Sequence, residues 1–190
     1  MQIIHVVHSF DLSGRSRLIH DICRILNGGE FGFTIASLTD KPGYRQQDME
    51  CVCLGKRPGF DPALIVRLAR LMRARRSAVV HSHGRGAVPY VAGARALARG
   101  RRWVHTVHRA DGDAVSGPPW LRRWIVAGMA RVVGVSDAAR REFARLNDIA
   151  LGRTTTIYNG IDVDHFSAAT MTTTRSGGPV IGTVANLSQD

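Results

Sequence analysis

Strand-like and helix-like segments take turns along this chain, and that alternation restricts it to one kind of architecture. Residues 3–8 form a near-continuous apolar run, as in a parallel strand covered on both faces. Over residues 16–26, Leu18, Ile19, Ile22, Ile25 and Leu26 recur at helical spacing, and Asn27-Gly28-Gly29 stops the pattern. Residues 31–38 and 49–54 read as two further strands. Asp61 followed by Pro62 marks a helix start, with Asp61 as N-cap and Pro62 in the first turn, and this helix is expected to run to about Arg75. The series continues with a strand at 78–82, a helix at 87–98, a strand at 103–107, a helix at 119–129, a strand at 131–136, a helix at 137–146 and a strand at 154–158.

Strand–helix–strand units cross over with right-handed geometry. The expected fold is therefore α/β, an open parallel sheet with helices on both faces, Rossmann-like. A length of 190 residues allows one sizeable core and is short for two full domains. In such sheets ligands bind beyond the carboxyl ends of the strands. Those ends carry His8 to Arg15, then His81-Ser82-His83-Gly84-Arg85-Gly86, then His105 to Arg109, then Ser136-Asp137, then Asn159-Gly160-Ile161-Asp162. Five of the eight histidines lie at or near them, which reads as a binding edge.

The charge narrows what such an edge would hold. The formal net charge is +11, and residues 61–109 contain 11 arginines against one acid, Asp61. A local excess of this kind attracts anions: nucleotides, anionic lipid or nucleic acid. Arginine supplies 24 of the 26 basic residues, a bias that accounts for the number of arginines better than for their clustering. Three cysteines without a Cys-x-x-Cys pair argue against zinc and against a disulfide scaffold; buried free thiols in a reducing compartment are expected. No uncharged apolar run approaches the roughly 20 residues of a membrane-spanning helix, and the amino terminus lacks the features of a signal peptide.

Residues 167–178, rich in Thr, Ser and Ala, read as a linker, and 179–185 as one more strand. The expected organisation is a domain over 1–166, a linker over 167–178, and at 179–190 the first strand of a second domain whose remainder lies elsewhere.

Four stretches resemble the amino-terminal domain of retaining glycosyltransferases of the two-Rossmann-domain (GT-B, family 4-like) type: VVHSHGRGAVPYVAGARALARGRRWVHTVHR at 79–109, VVGVSDAARREF at 132–143, TTIYNGIDVDHF at 155–166 and VIGTVANLSQD at 180–190. The resemblance implies transfer of a sugar from a nucleotide-diphosphate sugar to a glycan or lipid-linked acceptor, with no further cofactor and no metal. It implies a catalytic role for His108, facing the transferred sugar. It places Ser13, Gly14 and Arg15 at the donor phosphates, where the family often carries a Gly-Gly pair; Gly14 could equally just make the turn. His83, Gly84, Arg109 and Ser136 fall on the acceptor side, with an N-cap role as the alternative for Ser136. Asn159, Gly160 and Asp162 fall at the hinge. The family keeps its main donor-binding groups, a basic pair and a Glu-x7-Glu segment, in the second domain, so negligible turnover is expected of these residues alone.

Many such enzymes act on lipid-linked acceptors. Arg67, Arg70, Arg73 and Arg76 recur along one helix, and Trp120 and Trp124 stand one turn apart beside Arg122 and Arg123. An anionic membrane surface is thus a candidate partner, and the expected location is cytoplasmic, with peripheral attachment to the inner face of the plasma membrane as an option. Solvated arginines and half-buried tryptophans are the plainer reading. A dinucleotide-binding oxidoreductase would need Gly-x-Gly-x-x-Gly after the first strand, and Ser13-Gly14-Arg15-Ser16 is not that. Nucleic-acid binding is not expected, because aromatics are only 6% and no stacking platform is visible, although the charge keeps a basic nucleic-acid-binding or non-catalytic interaction module as the alternative.

Overall fold

A computed structural model describes residues 1–11, 13–39, 49–110, 114–161 and 163. The linker at 167–178, the strand at 179–190 and the hinge residue Asp162 lie outside the described residues. Met1–Asn159 forms one compact unit.

Every expected element within that unit is present, with bounds within two residues of those read from the sequence. In chain order these are β1 (Gln2–Val7), α1 (Gly14–Leu26), β2 (Gly32–Ser37), β3 (Glu50–Cys53), α2 (Pro62–Ala74), β4 (Val79–His83), α3 (Val88–Leu97), β5 (Arg102–Val107), α4 (Pro119–Ala127), β6 (Arg131–Gly134), α5 (Asp137–Asn147) and β7 (Thr154–Thr156). A 3₁₀ turn, Arg85–Ala87, precedes α3. All seven strands are parallel, in the order β3-β2-β1-β4-β5-β6-β7.

That order makes the chain run one way from β1 to β3 and the other way from β4 to β7. Right-handed crossovers then place the helices of the two halves on opposite faces. Strand pleating shows it residue by residue. On β1, Ile4 and Val6 join the main core with Leu64, Leu68 and Met72 of α2, Val91 of α3, Ile125 of α4 and Phe143 of α5. Val7 points the other way and packs with Ile35 of β2 against Ile19 and Cys23 of α1. The direction of winding changes between β1 and β4, which opens a crevice beyond their carboxyl ends.

Asp61 caps α2 as expected, accepting from the Leu64 N–H at 3.3 Å, and also accepts from the Arg67 guanidinium at 2.7 Å. Two arginines of the α2 stripe are held in the fold: Arg67 also donates to the Leu54 and Gly55 carbonyls, and Arg73 to that of Leu97. Arg70 is exposed, and Arg76, expected on the same helix, is exposed beyond its end, because α2 stops at Ala74 with Arg75 as its C-cap. The cysteines depart from expectation. Cys23 is buried, but Cys51 and Cys53 are exposed, because β3 is the edge strand and only Val52 turns toward the core.

Gly134 ends β6 where the backbone of α5 passes close against it. A Cβ there would lie 2.7 Å from the backbone nitrogen of Arg140 and 2.8 Å from its Cα, and backbone cannot swing aside. Gly134→Ala is expected to cost about 1–3 kcal/mol through this overpacking. For a chain of this size that lowers Tm by roughly 2–4 °C per kcal/mol, readable by thermal circular dichroism. An unchanged Tm would contradict the close approach.

Candidate functional site

Three strand ends and one helix start converge at the crevice between the two windings. β1 runs into His8, β4 into Gly84, Arg85 and Gly86, and β5 into His108 and Arg109, while α1 brings in Arg15. Together these residues line a cavity of about 380 Å³. Gly84 has φ of +70° as the chain leaves β4, a conformation side chains rarely adopt, and a Cβ there would stand 3.3 Å from Nη1 of Arg15. The loop can turn into the 3₁₀ segment and leave room for Arg15 because this residue is glycine.

The start of α1 is more crowded electrostatically than the sequence suggests. Ser13 is the N-cap and accepts from the Ser16 N–H at 3.4 Å, while its own N–H donates to Asp11 at 3.2 Å. Partial burial would raise the Asp11 pKa, but hydrogen bonds from Ser13 and Ser9 and the charge of Arg15 outweigh it and hold the carboxyl below its usual range. A carboxylate therefore sits where a phosphate was expected to benefit from the helix dipole. Gly14 is exposed, and a Cβ there would meet nothing within 4 Å, so the approach to the first N–H groups of α1 is open.

His108 is partly buried. Its pKa is lowered to about 4, by burial first and by Arg15 second, so the ring is neutral at about pH 7. Its Nε2 lies 3.1 Å from Nδ1 of His83. His83, expected on the acceptor side, is only 2% exposed and is not among the residues lining the cavity; its Nε2 is 2.9 Å from Nδ1 of His5. Burial pushes His83 well below the usual value and takes His5 down to about 4. His81 Nε2 pairs with the Thr106 hydroxyl at 2.7 Å.

Nitrogens of His5, His81 and His83 lie within 4.8 Å of one another, a grouping invisible in the sequence because it arises from the pairing of His5 with His81 across β1 and β4. The His5 and His83 rings are stacked, 21° apart in plane, and both His83 nitrogens are engaged by neighbouring imidazoles. On the opposite face of the sheet, the Trp103 indole donates to Ser82 at 2.7 Å and Ser82 pairs with His105 Nδ1 at 2.8 Å, which makes His105 part of the core.

Of the residues singled out from the sequence, Arg15, Gly84, His108 and Arg109 share one cavity, and Ser13 and Gly14 immediately precede Arg15. Ser136 stands apart from that lining; it caps α5, accepting from the Ala139 N–H at 3.1 Å. Asn159 and Gly160 are exposed beyond β7. His8, Arg85 and Gly86 line the cavity without having been assigned a role. Their place at strand ends was the available signal, but only the strand order brings the β1 and β4 loops side by side. Arg15, Arg85 and Arg109 give the cavity a cationic wall, suited to an anion. On α4, Trp120 and Trp124 are 70% and 50% exposed, well beyond half-buried in the first case.

Residues 12–165 match the sequence profile described as Glycosyltransferase Family 4. No curated protein matches the chain. Among solved structures, the chain resembles a glycosyltransferase from Rickettsia africae (TM-score 0.69, 17% identity, 90% of this chain and 46% of that one). It resembles Anabaena HepE, solved in complex with UDP-glucose (TM-score 0.68, 18% identity, 86% of this chain and 45% of that one). It also resembles UDP-N-acetylglucosamine 2-epimerase from Rickettsia bellii (TM-score 0.57, 11% identity, 92% of this chain and 49% of that one). The chain thus spans about half the length of these structures. At such identities the likeness is one of fold.

Proposed function

Because the chain belongs to Glycosyltransferase Family 4, we propose that it forms the acceptor-side half of a transfer cleft. The whole protein is read as a hexosyltransferase-type enzyme that moves a sugar, with retention, from a nucleotide-diphosphate sugar to a glycan or lipid-linked acceptor. The observation that carries this reading is the convergence of His108, Arg15 and Gly84 on one cationic cavity at the point where the winding of the sheet reverses. UDP-glucose in the Anabaena neighbour supports a nucleotide-sugar ligand.

The roles follow from chemistry. Arg15 and the first N–H groups of α1 offer positive potential to a diphosphate, with Asp11 setting a limit on how much charge that end accepts. Neutral His108 offers a hydrogen bond to a sugar hydroxyl without adding repulsion to the developing positive charge at the sugar carbon. The Gly84 loop and Arg109 border the acceptor side. Asn159, Gly160 and Asp162 are assigned to the hinge. The exposed tryptophans of α4 beside Arg122 and Arg123 support contact with an anionic membrane surface, at the inner face of the plasma membrane.

The 190-residue chain supplies the histidine side of such a cleft and is expected to transfer no sugar by itself. Titration of the nitrogen-15-labelled chain with UDP-glucose is expected to perturb backbone amides at residues 13–15, 84–86 and 108–109. The expected affinity is weak, with Kd on the order of 1 mM, about 4 kcal/mol. Micromolar affinity would refute the assignment of the main donor-binding groups to another part of the protein. Saturable perturbation confined to other residues would refute the site.

A further inference from the structure

His108 can serve a ligand as a donor only if its available nitrogen carries the proton, and the sheet behind it bears on which nitrogen does. Three imidazoles from three adjacent strands stand in a row: His5 in β1, His83 at the end of β4 and His108 just beyond β5. His5 Nδ1 lies 2.9 Å from His83 Nε2, and His83 Nδ1 lies 3.1 Å from His108 Nε2. Ring centroids are 5.2 and 5.3 Å apart along the row.

A neutral imidazole has one N–H donor and one lone-pair acceptor. Burial keeps all three rings neutral. Two hydrogen bonds shared among three such rings permit only two arrangements: every ring protonated on Nδ1, or every ring protonated on Nε2. The inner end separates them. His5 is 2% exposed and its Nε2 is buried without a partner. Protonation on Nε2 throughout would bury an N–H with no acceptor, the rarer orphan in folded proteins; protonation on Nδ1 leaves only a lone pair there. The outer end agrees, since a cationic cavity read as holding phosphate and hydroxyl oxygens is better served by an N–H than by a lone pair.

We propose that His83, backed by His5, is a positioning residue that fixes His108 in the Nδ1–H tautomer. Its own Nδ1–H donates to His108 Nε2, so the proton of His108 is held on the nitrogen left for a ligand in the cavity. This rests on the reading of His108 as a ligand-facing group, but its test involves no sugar transfer.

The 190-residue chain, labelled with nitrogen-15 in its histidine rings, is examined at about pH 7 by long-range proton–nitrogen correlation. His5, His83 and His108 are each expected to show a protonated Nδ1 and an unprotonated Nε2. In His83→Leu, His108 loses the donor at its Nε2 and is expected to populate both tautomers. In His83→Asn, whose side-chain N–H₂ stands near the former Nδ1, the single Nδ1–H form is expected to return. A proton on Nε2 of His108 in the unsubstituted chain would overturn the proposal, and so would an unchanged tautomer in a folded His83→Leu chain. The unsubstituted spectrum decides the matter even if the Leu variant does not fold. An Nε2–H at His108 would leave the transferase reading standing, and failure of transfer would leave the tautomer assignment standing.

Discussion

Acidification from about pH 7 to about pH 4.5 is expected to unfold the Met1–Asn159 unit. The cause is a set of buried histidines that the native state keeps neutral. His5 and His108 have pKa values lowered to about 4 and His105 to about 3, by burial in each case, while His81 and His83 lie well below the ordinary value of 6.5. In the unfolded chain each returns to about 6.5. Between those limits the unfolded state binds more protons than the folded one, so stability rises with pH. The contribution is fully present above about pH 6.5 and is lost as pH falls toward the folded values. At about pH 5, a group shifted from 6.5 to 4 has forfeited about 2 kcal/mol. Three such groups together reach the lower end of the roughly 5–15 kcal/mol that holds a domain together. The lowered carboxyls of Asp11, Asp21 and Asp61 act with the same sign but in a more acid window. Thermal circular dichroism across this range should give a flat Tm above about pH 7 and a steep fall below about 6.5. A Tm that holds down to about pH 5 would show that these rings protonate without disrupting the sheet.

That acid sensitivity was not legible in the sequence, although the histidines were. Periodicity and caps located the elements because they are local: Asp61-Pro62 and Ser136 each act within one turn of a helix. The parity of His81 and His83 on one face of β4 could likewise be read from strand alternation. What could not be read is that β1 pairs with β4 in a register setting His5 against His81, since nothing in either segment encodes its neighbour. The same limit applies to the cavity. His108 and Arg15 were both singled out at strand or helix ends, but the wall they share depends on the order β2-β1-β4-β5. Exposure of Cys51 and Cys53 was missed for a related reason, because the 50–53 segment carries no mark of being an edge strand.

On the proposed transferase reading, the burial that makes His108 costly to protonate also keeps it a neutral donor, and its removal is expected to lower catalysis by the whole protein. His108→Ala deletes a neutral donor in a cavity with Arg15 alongside. Loss of one preorganised donor at a site of developing charge typically lowers kcat by about 10²–10³-fold. If the hydrogen bond strengthens as the sugar–phosphate bond breaks, the loss falls on kcat, with KM for the nucleotide sugar nearly unchanged. If His108 merely holds a hydroxyl equally well in ground and transition states, KM rises and kcat survives; steady-state kinetics of the variant separate the two. The pH profile adds an independent check. With its pKa near 4, His108 should impose no break in kcat/KM at about pH 6.5, where an unperturbed histidine would titrate. A rate limb near 6.5 that vanishes in His108→Ala would show that the ring is charged during turnover and that burial does not hold it neutral in the closed cleft.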